Sequence, residues 1–557
     1  MTNVAEILRQ QLKAAPGKTA LVLQYAGQPD LVLSRSAFLS RARDYASTYQ
    51  QRRIEPGEVV VLILPHGLEL VCAFFGAILG GQIPAIMPFL TEKLNPERYK
   101  SELANLVTVS KPAAIVTNQD FEPEIRLALG EESTVRALLL CNEVEQQQRQ
   151  DVDDLPGLNS PPESIVVLQH SSGTTGLQKG VALSHQALLN QISAYSAAIQ
   201  LVEQDVVVSW LPLYHDMGLI SSFLMPILSG IPLVLMSPFD WVRAPQRLFQ
   251  AISQYHGTLT WLPNFAYNFC AQKIRDRHME GVDLTGLRAF INCSEPVRKS
   301  SHDLFYEKFQ AYGLKNSTLQ TCYAMAENVF GVTQSPLGKN PLTILVDQDD
   351  FQHEHKINPA QPGKPALEMM SSGQPISNTQ IHIVDGKGHE LTEGQMGEII
   401  LKSNSMLNGY YQRPDLTTRA IHSGWYHTGD LGFMSDGELF VTGRRKDLII
   451  VGGKNIYPED IEALVNTVPG VHLGRAVAFG LFDESQGTEE VVVVAEVEPT
   501  TSEERQVIAD KIRQVVTRNS AVALRLVYTV GPKWLLKTSS GKIARSANRD
   551  KYLAETH

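Results

Sequence analysis

The segment "SIVVLQHSSGTTGLQKGVALSHQALLNQISAY", residues 164–195, places a short apolar strand before a loop of Gly, Ser and Thr, then continues into a second strand and a helix. Ser184 is a good N-cap for that helix. Small residues let backbone N–H groups approach an anion, hydroxyls add donors, and Lys179 adds positive charge. The segment therefore predicts a phosphate-binding loop at the end of a strand, where α/β folds commonly bind ligands.

The loop does not fit a Walker A motif. That motif has four residues between its first Gly and a Gly-Lys-Ser/Thr, whereas here Gln178 precedes Lys179 and Gly180 follows it. The spacing therefore argues against a P-loop NTPase and favours another class of nucleotide-binding enzyme.

Short β-rich runs such as "EVVVLILP", "AAIVT", "SIVVLQ", "IPLVLM" and "RAFINC" alternate with segments of helical period such as "LELVCAFFGAILGG". This alternation predicts an α/β fold with largely parallel, buried strands. Short strands joined by Gly-rich turns predict a small β-rich subdomain at about residues 375–446. A compact α+β pattern follows from Asp447, so we predict an N-terminal domain of residues 1–446 and a C-terminal domain of residues 447–557.

The composition is that of a large globular protein. The 557 residues are 43% hydrophobic and 19% charged, which indicates at least two domains. A net charge of -10 gives no electrostatic case for nucleic-acid binding. The five cysteines contain no CxxC pair, which argues against a disulfide framework and a thiolate metal site. The N-terminus lacks the pattern of a signal peptide, and we expect a cytoplasmic enzyme for small molecules.

Residues 217–239, "MGLISSFLMPILSGIPLVLMSPF", carry no charge and approach the length of a membrane span. Pro226, Gly230, Pro232 and Pro238 interrupt the run. We therefore predict a buried helix that turns at residues 229–230 into a core strand, and no transmembrane segment.

Six motifs in order resemble the adenylate-forming superfamily, which includes acyl-CoA synthetases, fatty acyl-AMP ligases, peptide synthetase adenylation domains and luciferases. After the Gly/Ser/Thr loop they are "WLPLYHDMGL" (210–219), "TCYAMAEN" (321–328), "GWYHTGDLG" (424–432), "GRRKDLIIVGGKNIYPEDIE" (443–462) and "KTSSGKIAR" (537–545). The resemblance covers essentially the whole chain. It implies that a carboxylate and ATP form acyl-AMP and pyrophosphate, with Mg²⁺, and that the acyl group then passes to a thiol.

The resemblance implies a set of residues that bind the ATP phosphates and the metal. Those for the phosphates are Ser171, Ser172, Gly173, Thr174, Thr175, Gly176 and Lys179. Lys179 would attract the leaving pyrophosphate. Thr175 and Glu327 would bind Mg²⁺, a hard cation suited to oxygen ligands. The minor alternative for Glu327 is a solvated charge at a helix start.

The resemblance also implies the nucleoside site. Tyr323 would stack on adenine beside Ala324 and Met325, and the family usually has Gly where Ala324 stands, which bears on the local backbone. The other implied contacts are Ser294 and Glu295 at the adenine, and Asp430 and Arg444 at the ribose. The run "SEPVRK" would also be explained by a helix start alone.

The catalytic residues implied by the family are Lys542 and His215. Lys542, in a C-terminal Gly-Ser loop, would contact the substrate carboxylate and the α-phosphate. His215 would position the carboxylate at the mouth of the acyl pocket. The C-terminal domain would move about a hinge at Asp447, and Gly452 and Gly453 would let the pantetheine arm of the thiol substrate pass.

The acid and the acceptor are less closely defined. "YHDMGL" and "WLPNFAYNFCAQK" look most like fatty acyl-AMP ligases, so a medium- or long-chain fatty acid is expected. Phe239-Asp240 resembles the motif with which amino-acid-activating relatives bind the α-amino group, so an amino-acid-activating enzyme stays open. An aryl-acid-activating enzyme of the same superfamily and a non-catalytic nucleotide-binding or carrier-binding module are further alternatives. Acyl carrier protein and CoA both stay open as the acceptor.

Two other patterns suggest different chemistry. Residues 539–542 fit the Ser-x-x-Lys motif of penicillin-recognising enzymes, but the order along the chain is wrong for that class. Residues 347–356, "DQDDFQHEHK", could suggest a metal cluster, but their histidine spacing favours a solvated loop.

Overall fold

The computed structural model describes residues 2–90, 96–130, 133–144, 151–171, 179–351, 356–451, 454–483, 488–498, 501–520, 522–538 and 541–556. The chain divides into two compact units. The first unit comprises Met1–Pro341, Ser372–Gln380 and Lys402–Trp425, and the second comprises Leu342–Ser371, Ile381–Leu401 and Tyr426–His557.

The α-helices, in chain order, are α1 Val4–Ala14, α2 Arg35–Gln51, α3 Leu68–Gly80, α4 Pro96–Ser110, α5 Glu122–Ala128, α6 His185–Ala198, α7 Met225–Ser229, α8 Pro238–Arg243, α9 Gln246–Gln254, α10 Asn264–Lys273, α11 Lys299–Phe309, α12 Pro414–Ala420, α13 Pro458–Val465, α14 Ser502–Ser520 and α15 Arg545–Thr556. The strands are β1 Thr19–Gln24, β2 Leu31–Ser34, β3 Val59–Ile63, β4 Ile83–Ile86, β5 Ala114–Thr117, β6 Ala137–Leu140, β7 Ile165–Ser171, β8 Lys179–Ser184, β9 Val207–Ser209, β10 Leu233–Met236, β11 Leu259–Leu262, β12 Ala289–Asn292, β13 Leu319–Thr321, β14 Thr333–Gln334, β15 Thr343–Asp347, β16 Ala366–Met370, β17 Gln374–Pro375, β18 Thr379–Val384, β19 Gly397–Ser403, β20 Gly409–Tyr410, β21 Ile421–His422, β22 Trp425–Ser435, β23 Glu438–Arg444, β24 Ile449–Val451, β25 Lys454–Ile456, β26 Val471–Asp483, β27 Thr488–Val497 and β28 Leu524–Val530.

A seven-stranded sheet of order β13-β12-β11-β9-β10-β1-β2 lies in the first unit. Its strands pair in parallel except for β2, which pairs antiparallel with β1. Every residue of β9, β10, β11, β12 and β13 is buried, as expected for parallel strands covered on both faces. Because parallel strands share an orientation, the segments that follow these strands meet at one edge.

A second parallel sheet of order β4-β3-β5-β6 also lies in the first unit. These two sheets confirm the predicted α/β class with largely parallel strands.

The strand in "SIVVLQ" differs from the expectation. It is β7, and it pairs antiparallel with β8, which in turn pairs antiparallel with β20. The Gly/Ser/Thr loop therefore joins two strands of a hairpin and does not follow a strand of the parallel sheet. Both kinds of strand are buried apolar runs, so composition alone did not separate them.

The apolar run 217–239 forms buried helix and strand, as predicted. Met217–Leu224 is a π-helix that continues directly into α7, and all eight of its residues are buried. Gly230 ends the helix at φ 71°, a left-handed conformation that favours glycine, and β10 follows. Among the described residues, no helix is both long and apolar enough to cross a membrane.

The second unit contains mainly antiparallel strands. β22 pairs antiparallel with both β19 and β23. Farther along the chain, β27 pairs antiparallel with β26 and in parallel with β28, and α13 and α14 pack onto the same apolar core, with Val465, Ile512 and Val516 fully buried. A domain boundary at Asp447 stays a prediction. All five cysteines are free thiols, and four of them are buried.

A buried hydrogen-bonded chain links α6 to the large sheet. Trp261 Nε1 donates to Tyr195 Oη over 2.9 Å, and Tyr195 Oη donates to Gln334 Oε1 over 2.8 Å. Gln191, on the same helix, donates to the carbonyl oxygen of Gly331 over 3.0 Å. The helix that follows the Gly/Ser/Thr hairpin therefore holds the turn that contains Glu327.

Tyr195→Phe tests this linkage. It leaves Trp261 Nε1 and Gln334 Oε1 buried without this partner, so we expect a loss of about 1–3 kcal/mol of stability. Urea denaturation followed by tryptophan fluorescence measures the change. Tyr312→Phe, which removes a 3.4 Å surface contact to Asp276, should change stability by less than about 0.5 kcal/mol. Equal urea midpoints for Tyr195→Phe and the wild type would contradict the structural role.

Candidate active site

The carboxyl ends of β9, β11, β12 and β13 bring four loops to one edge of the large sheet. They precede the segments that carry His215, Asn264, Ser294 and Tyr323 respectively. The backbone N–H of Cys293 donates to the carbonyl oxygen of Leu262 over 3.1 Å, so the loop after β12 stays bonded to the end of β11. The structure thus places the predicted adenine-site residues beside the segment of the predicted positioning histidine.

Ser294 adopts φ 71°, which is uncommon for a residue with a side chain. Its hydroxyl lies 3.9 Å from Met217 Sδ and 3.8 Å from Cys293 Sγ, both weak contacts. Glu295 Oε2 accepts a hydrogen bond from the backbone N–H of Phe265 over 2.9 Å. Because Phe265 lies in the first turn of α10, this carboxylate satisfies one of the unpaired N–H groups there. Roles for Ser294 and Glu295 at the adenine stay predictions.

A buried polar network supports the same edge. Asn292, at the end of β12, is fully buried, and its Nδ2 donates to Asn264 Oδ1 over 2.9 Å and lies 3.1 Å from His302 Nε2. Burial lowers the pKa of His302 to about 4, so the imidazole is neutral at pH 7. The network fixes the start of the loop that leads to Ser294.

The segment 323–325 runs beside residues 330–333. The backbone N–H of Val332 donates to the carbonyl oxygen of Tyr323 over 2.8 Å, and Ala324 forms an isolated antiparallel bridge with Gly331. Among the described residues, Ala324 is not one of those with positive φ, so its backbone tolerates a side chain. The replacement of the usual glycine is therefore compatible with this conformation.

Glu327 lies in a short turn, Ala326–Asn328, that is followed by a strained residue. Val329 has φ 62° and ψ -53°, and the N–H of Phe330 donates to the carbonyl oxygen of Asn328 over 2.7 Å, which makes a rare form of γ-turn. A β-branched residue with this φ costs about 1–3 kcal/mol. Asn328 helps to hold the turn, since its Nδ2 donates to Gly331 and its Oδ1 accepts from Ser403.

Tyr410 connects Glu327 to Lys179. Its hydroxyl donates to Glu327 Oε1 over 2.8 Å, and Lys179 Nζ lies 5.0 Å from the centroid of its ring. Lys179 begins β8 directly after the Gly/Ser/Thr loop. The structure therefore brings the predicted metal ligand and the predicted pyrophosphate lysine to the same tyrosine.

His215 precedes the π-helix. Its Nδ1 lies 2.5 Å from Asp216 Oδ1, without the alignment of a hydrogen bond, and the same carboxylate oxygen accepts from the backbone N–H of Met217 over 2.8 Å. The side chains of His215 and Asp216 are 20% and 10% exposed. Asp216 thus begins the helix and faces the imidazole, while His215 keeps a partly open surface.

In the second unit, Asp430 and Arg444 face each other across β22 and β23. Arg444 Nε lies 3.2 Å from Asp430 Oδ1, and Asp430 is largely buried while the arginine side chain is about half exposed. Glu398 supports the turn before Asp430, because its Oε1 accepts from the backbone N–H of Gly429 over 3.2 Å. The structure pairs these two predicted ribose ligands.

Asp447 forms part of a buried ion cluster in the second unit. Arg545 Nη1 lies 2.8 Å from Asp447 Oδ2, and its Nη2 lies 3.1 Å from Glu459 Oε1 and 3.0 Å from Glu462 Oε1. Burial raises the pKa of Glu462 above its usual range despite the neighbouring guanidinium. Removing Arg545 would leave three carboxylates without their shared partner.

Lys542 lies in a tight turn of the second unit. The backbone N–H of Thr538 donates to its carbonyl oxygen over 2.8 Å, Lys537 bridges Ile543, and Gly541 has φ 85°. The lysine side chain is half-buried. Its role in the first chemical step stays a prediction.

Several predicted residues lie outside the described part of the chain. They are Ser172, Gly173, Thr174, Thr175, Gly176, Gly452 and Gly453. For Ser171 only the backbone is described, as the last residue of β7. The proposed loop at residues 347–356 is only partly described.

The side chains around Glu327 fit a Mg²⁺ ion that is bound mainly by substrate and water. Among the described residues, no group of three or more His, Cys, Asp or Glu side chains could form an all-protein metal site. Mg²⁺ is commonly bound by one or two carboxylates together with substrate phosphates and water. Glu327 offers one such carboxylate, whose Oε2 is not used by Tyr410.

Sequence reasoning missed three residues that the structure places beside predicted ones. They are Tyr410, Glu398 and Arg545. Arg545 is the last residue of the motif at residues 537–545, but the sequence did not predict its carboxylate partners. Tyr410 and Glu398 lie in segments with no recognised motif, and only the fold brings them to the site.

Comparisons with known proteins identify the family. The family model described as AMP-binding enzyme matches residues 8–411. The medium-chain-fatty-acid--[acyl-carrier-protein] ligase JamA of Moorena producens (strain JHB) is 31% identical over 527 residues, which cover 91% of this chain and 87% of that protein. The long-chain-fatty-acid--AMP ligase FadD26 of Mycobacterium bovis is 29% identical over 581 residues, covering 99% and 97% of the two chains.

A solved structure from a study of fatty acyl-adenylate ligases from E. coli and L. pneumophila has a TM-score of 0.90 and 25% identity to this chain. It is matched over 100% of this chain and 98% of its own. The similarity thus extends over both compact units. The chain belongs to the AMP-binding enzyme family, as the six motifs predicted.

Proposed function

We propose that this protein is a ligase that activates a medium- or long-chain fatty acid with MgATP, forms acyl-AMP and pyrophosphate, and transfers the acyl group to the thiol of an acyl carrier protein. The observation that carries the proposal is the contact of both Lys179 and Glu327 with Tyr410, within a chain of the AMP-binding enzyme family. A cation for the phosphates and a carboxylate for the metal are the groups that adenylate formation needs.

The chemistry joins two anions, a carboxylate and the α-phosphate of ATP. Positive charge must therefore surround the developing transition state. Bound Mg²⁺ would neutralise phosphate charge and be held by Glu327, with Thr175 as a second ligand. Lys179 would attract the leaving pyrophosphate, and Lys542 would contact the carboxylate and the α-phosphate.

The family resemblance assigns described residues of this chain to the nucleoside and to the substrate carboxylate. Tyr323 would stack on adenine in a loop fixed by its hydrogen bonds to residues 332 and 333. Asp430 would accept hydrogen bonds from the ribose hydroxyls, and Arg444 already lies beside this carboxylate. His215 would orient the substrate carboxylate.

The fatty acid and the carrier protein are supported by the nature of the relatives. JamA is named as a ligase of medium-chain fatty acids and acyl carrier protein, and FadD26 as a ligase of long-chain fatty acids and AMP. CoA is the alternative acceptor, and it would make the protein an acyl-CoA synthetase.

The first prediction concerns the substrates. Fatty acids of medium or long chain should support ATP–pyrophosphate exchange, while amino acids and aryl acids should not. Mass analysis after addition of holo-acyl carrier protein or CoA should find the acyl group on the carrier protein. If none of the carboxylic acids in the panel supports exchange, the enzyme assignment is contradicted. If acyl-CoA forms and the carrier protein is not acylated, the proposed acceptor is contradicted.

The second prediction concerns Lys542. Lys542→Ala should reduce acid-dependent exchange by roughly 100-fold or more, because it removes positive charge from the bond being formed, and should leave ATP binding nearly unchanged. Exchange assays and calorimetric titration with ATP measure the two effects. Lys511→Ala, which removes an exposed lysine on α14 of the same unit, is the matched control. Wild-type exchange in Lys542→Ala would refute the catalytic role.

The third prediction concerns Glu327. Glu327→Gln keeps the shape of the side chain but removes the charge that attracts Mg²⁺. We expect the Mg²⁺ concentration for half-maximal exchange to rise by about tenfold or more, since hydrogen bonds and contacts to charged groups contribute about 1.5–3 kcal/mol. Titration of exchange with MgCl₂ at fixed ATP measures it. An unchanged Mg²⁺ dependence would exclude Glu327 as a ligand.

A further inference from the structure

Tyr410 occupies a position that no motif assigned. It is the last residue of β20, which pairs antiparallel with β8, and Tyr410 lies opposite Val181 in that pairing. The side chain is largely buried, with 5% of the residue exposed. Tyr410 therefore lies next to β8, the strand that follows the Gly/Ser/Thr loop, and its partner there is two residues after Lys179.

The backbone around Tyr410 ties two parts of the site together. The N–H of Tyr411 donates to the carbonyl oxygen of Gly180 over 2.7 Å, and the N–H of Leu407 donates to the carbonyl oxygen of Glu327 over 2.8 Å. The N–H of Tyr410 itself donates to Thr417 Oγ1 over 2.9 Å. Residues 407–411 thus contact both β8 and the Glu327 turn, and the ring of Tyr410 has little freedom to move.

The hydroxyl of Tyr410 fixes the carboxylate of Glu327. It donates to Oε1 over 2.8 Å, so one oxygen is occupied and the plane of the carboxylate is restrained. The other oxygen is then the one presented to a cation. A residue that holds a metal ligand in this way sets its orientation and commonly affects metal affinity by about 10- to 100-fold.

The ring of Tyr410 faces Lys179. The ammonium lies 5.0 Å from the ring centroid, within the range of a cation–π interaction. Among the described residues, the ion pairs do not include one between Lys179 and Glu327, although both contact the same tyrosine. The two opposite charges therefore contact different parts of one side chain, the ammonium at the ring and the carboxylate at the hydroxyl.

We propose that Tyr410 is a positioning residue that orients the Glu327 carboxylate toward the divalent cation through its hydroxyl and holds the Lys179 ammonium for pyrophosphate through its ring. This inference rests on the proposed function, since it assigns a role in the same nucleotide site. The two parts of the side chain act on two different ligands.

Two substitutions separate the hydroxyl from the ring. Tyr410→Phe keeps the ring and removes the hydroxyl that donates to Glu327. We expect the Mg²⁺ concentration for half-maximal exchange to rise about tenfold, with the KM for pyrophosphate unchanged. Tyr410→Leu removes both contacts, so both the Mg²⁺ requirement and the KM for pyrophosphate should rise. A purely structural role would not produce this division between the two ligands.

Tyr411→Phe is the matched control. It removes the phenol hydroxyl of the next residue, and among the described residues this hydroxyl has no hydrogen-bond partner. The Mg²⁺ requirement and the KM for pyrophosphate should therefore stay unchanged. Far-UV circular dichroism checks that each variant is folded. If Tyr410→Leu does not fold, Tyr410→Phe alone still tests the hydroxyl, because it changes the shape of the side chain least.

A binding measurement separates this inference from the proposed function. Mn²⁺ binding in the presence of ATP, followed by electron paramagnetic resonance, requires no carboxylic acid and no turnover. The affinity for Mn²⁺ should fall about tenfold in Tyr410→Phe and remain at the wild-type value in Tyr411→Phe. Absence of acid-dependent exchange in the wild type would overturn the proposed function only. Wild-type Mn²⁺ affinity in Tyr410→Phe would overturn the role of Tyr410.

Discussion

The parallel pairing of β9, β11, β12 and β13 is the constraint on which the candidate active site of the first unit depends. Since parallel strands end at the same edge, the pairing brings together loops that are far apart in the chain. The loop after β12 stays bonded to the end of β11, and the N–H of Cys322 after β13 donates to the carbonyl oxygen of Asn292. The sheet therefore determines which segments meet before any side chain contributes chemistry.

Buried polar side chains then determine how those loops are oriented. Asn292 and Tyr195 each make two or more polar contacts in the core, and each lies beneath a loop of the site. Leaving such a group without its partners is costly, so alternative loop conformations are disfavoured. The same surroundings hold Val329 in a strained γ-turn directly after the residues of the Glu327 turn. Strain at this point is supported by the neighbouring hydrogen bonds of Asn328.

Charges are handled differently in the two units. In the second unit, Arg545 pairs with three carboxylates in a largely buried cluster, which suits a structural role beside Asp447. In the first unit, Lys179 contacts an aromatic ring and Glu327 contacts a hydroxyl, and no ion pair with another described residue involves either side chain. Unpaired charges of this kind are suited to binding charged ligands, whereas paired ones mainly maintain the fold.

Local patterns of residues were sufficient to predict the α/β class, the turn of the 217–239 run at Gly230 and the family. Burial, helical period and turn chemistry depend on residues that are close together in the sequence. They did not reveal that β7 and β8 pair antiparallel, since a buried apolar run does not specify its partner. Nor did they reveal that Tyr410 bonds to Glu327 across 83 residues of sequence, or that Glu295 serves the first turn of α10. Such contacts depend on which elements pack together, and only the tertiary structure decides that.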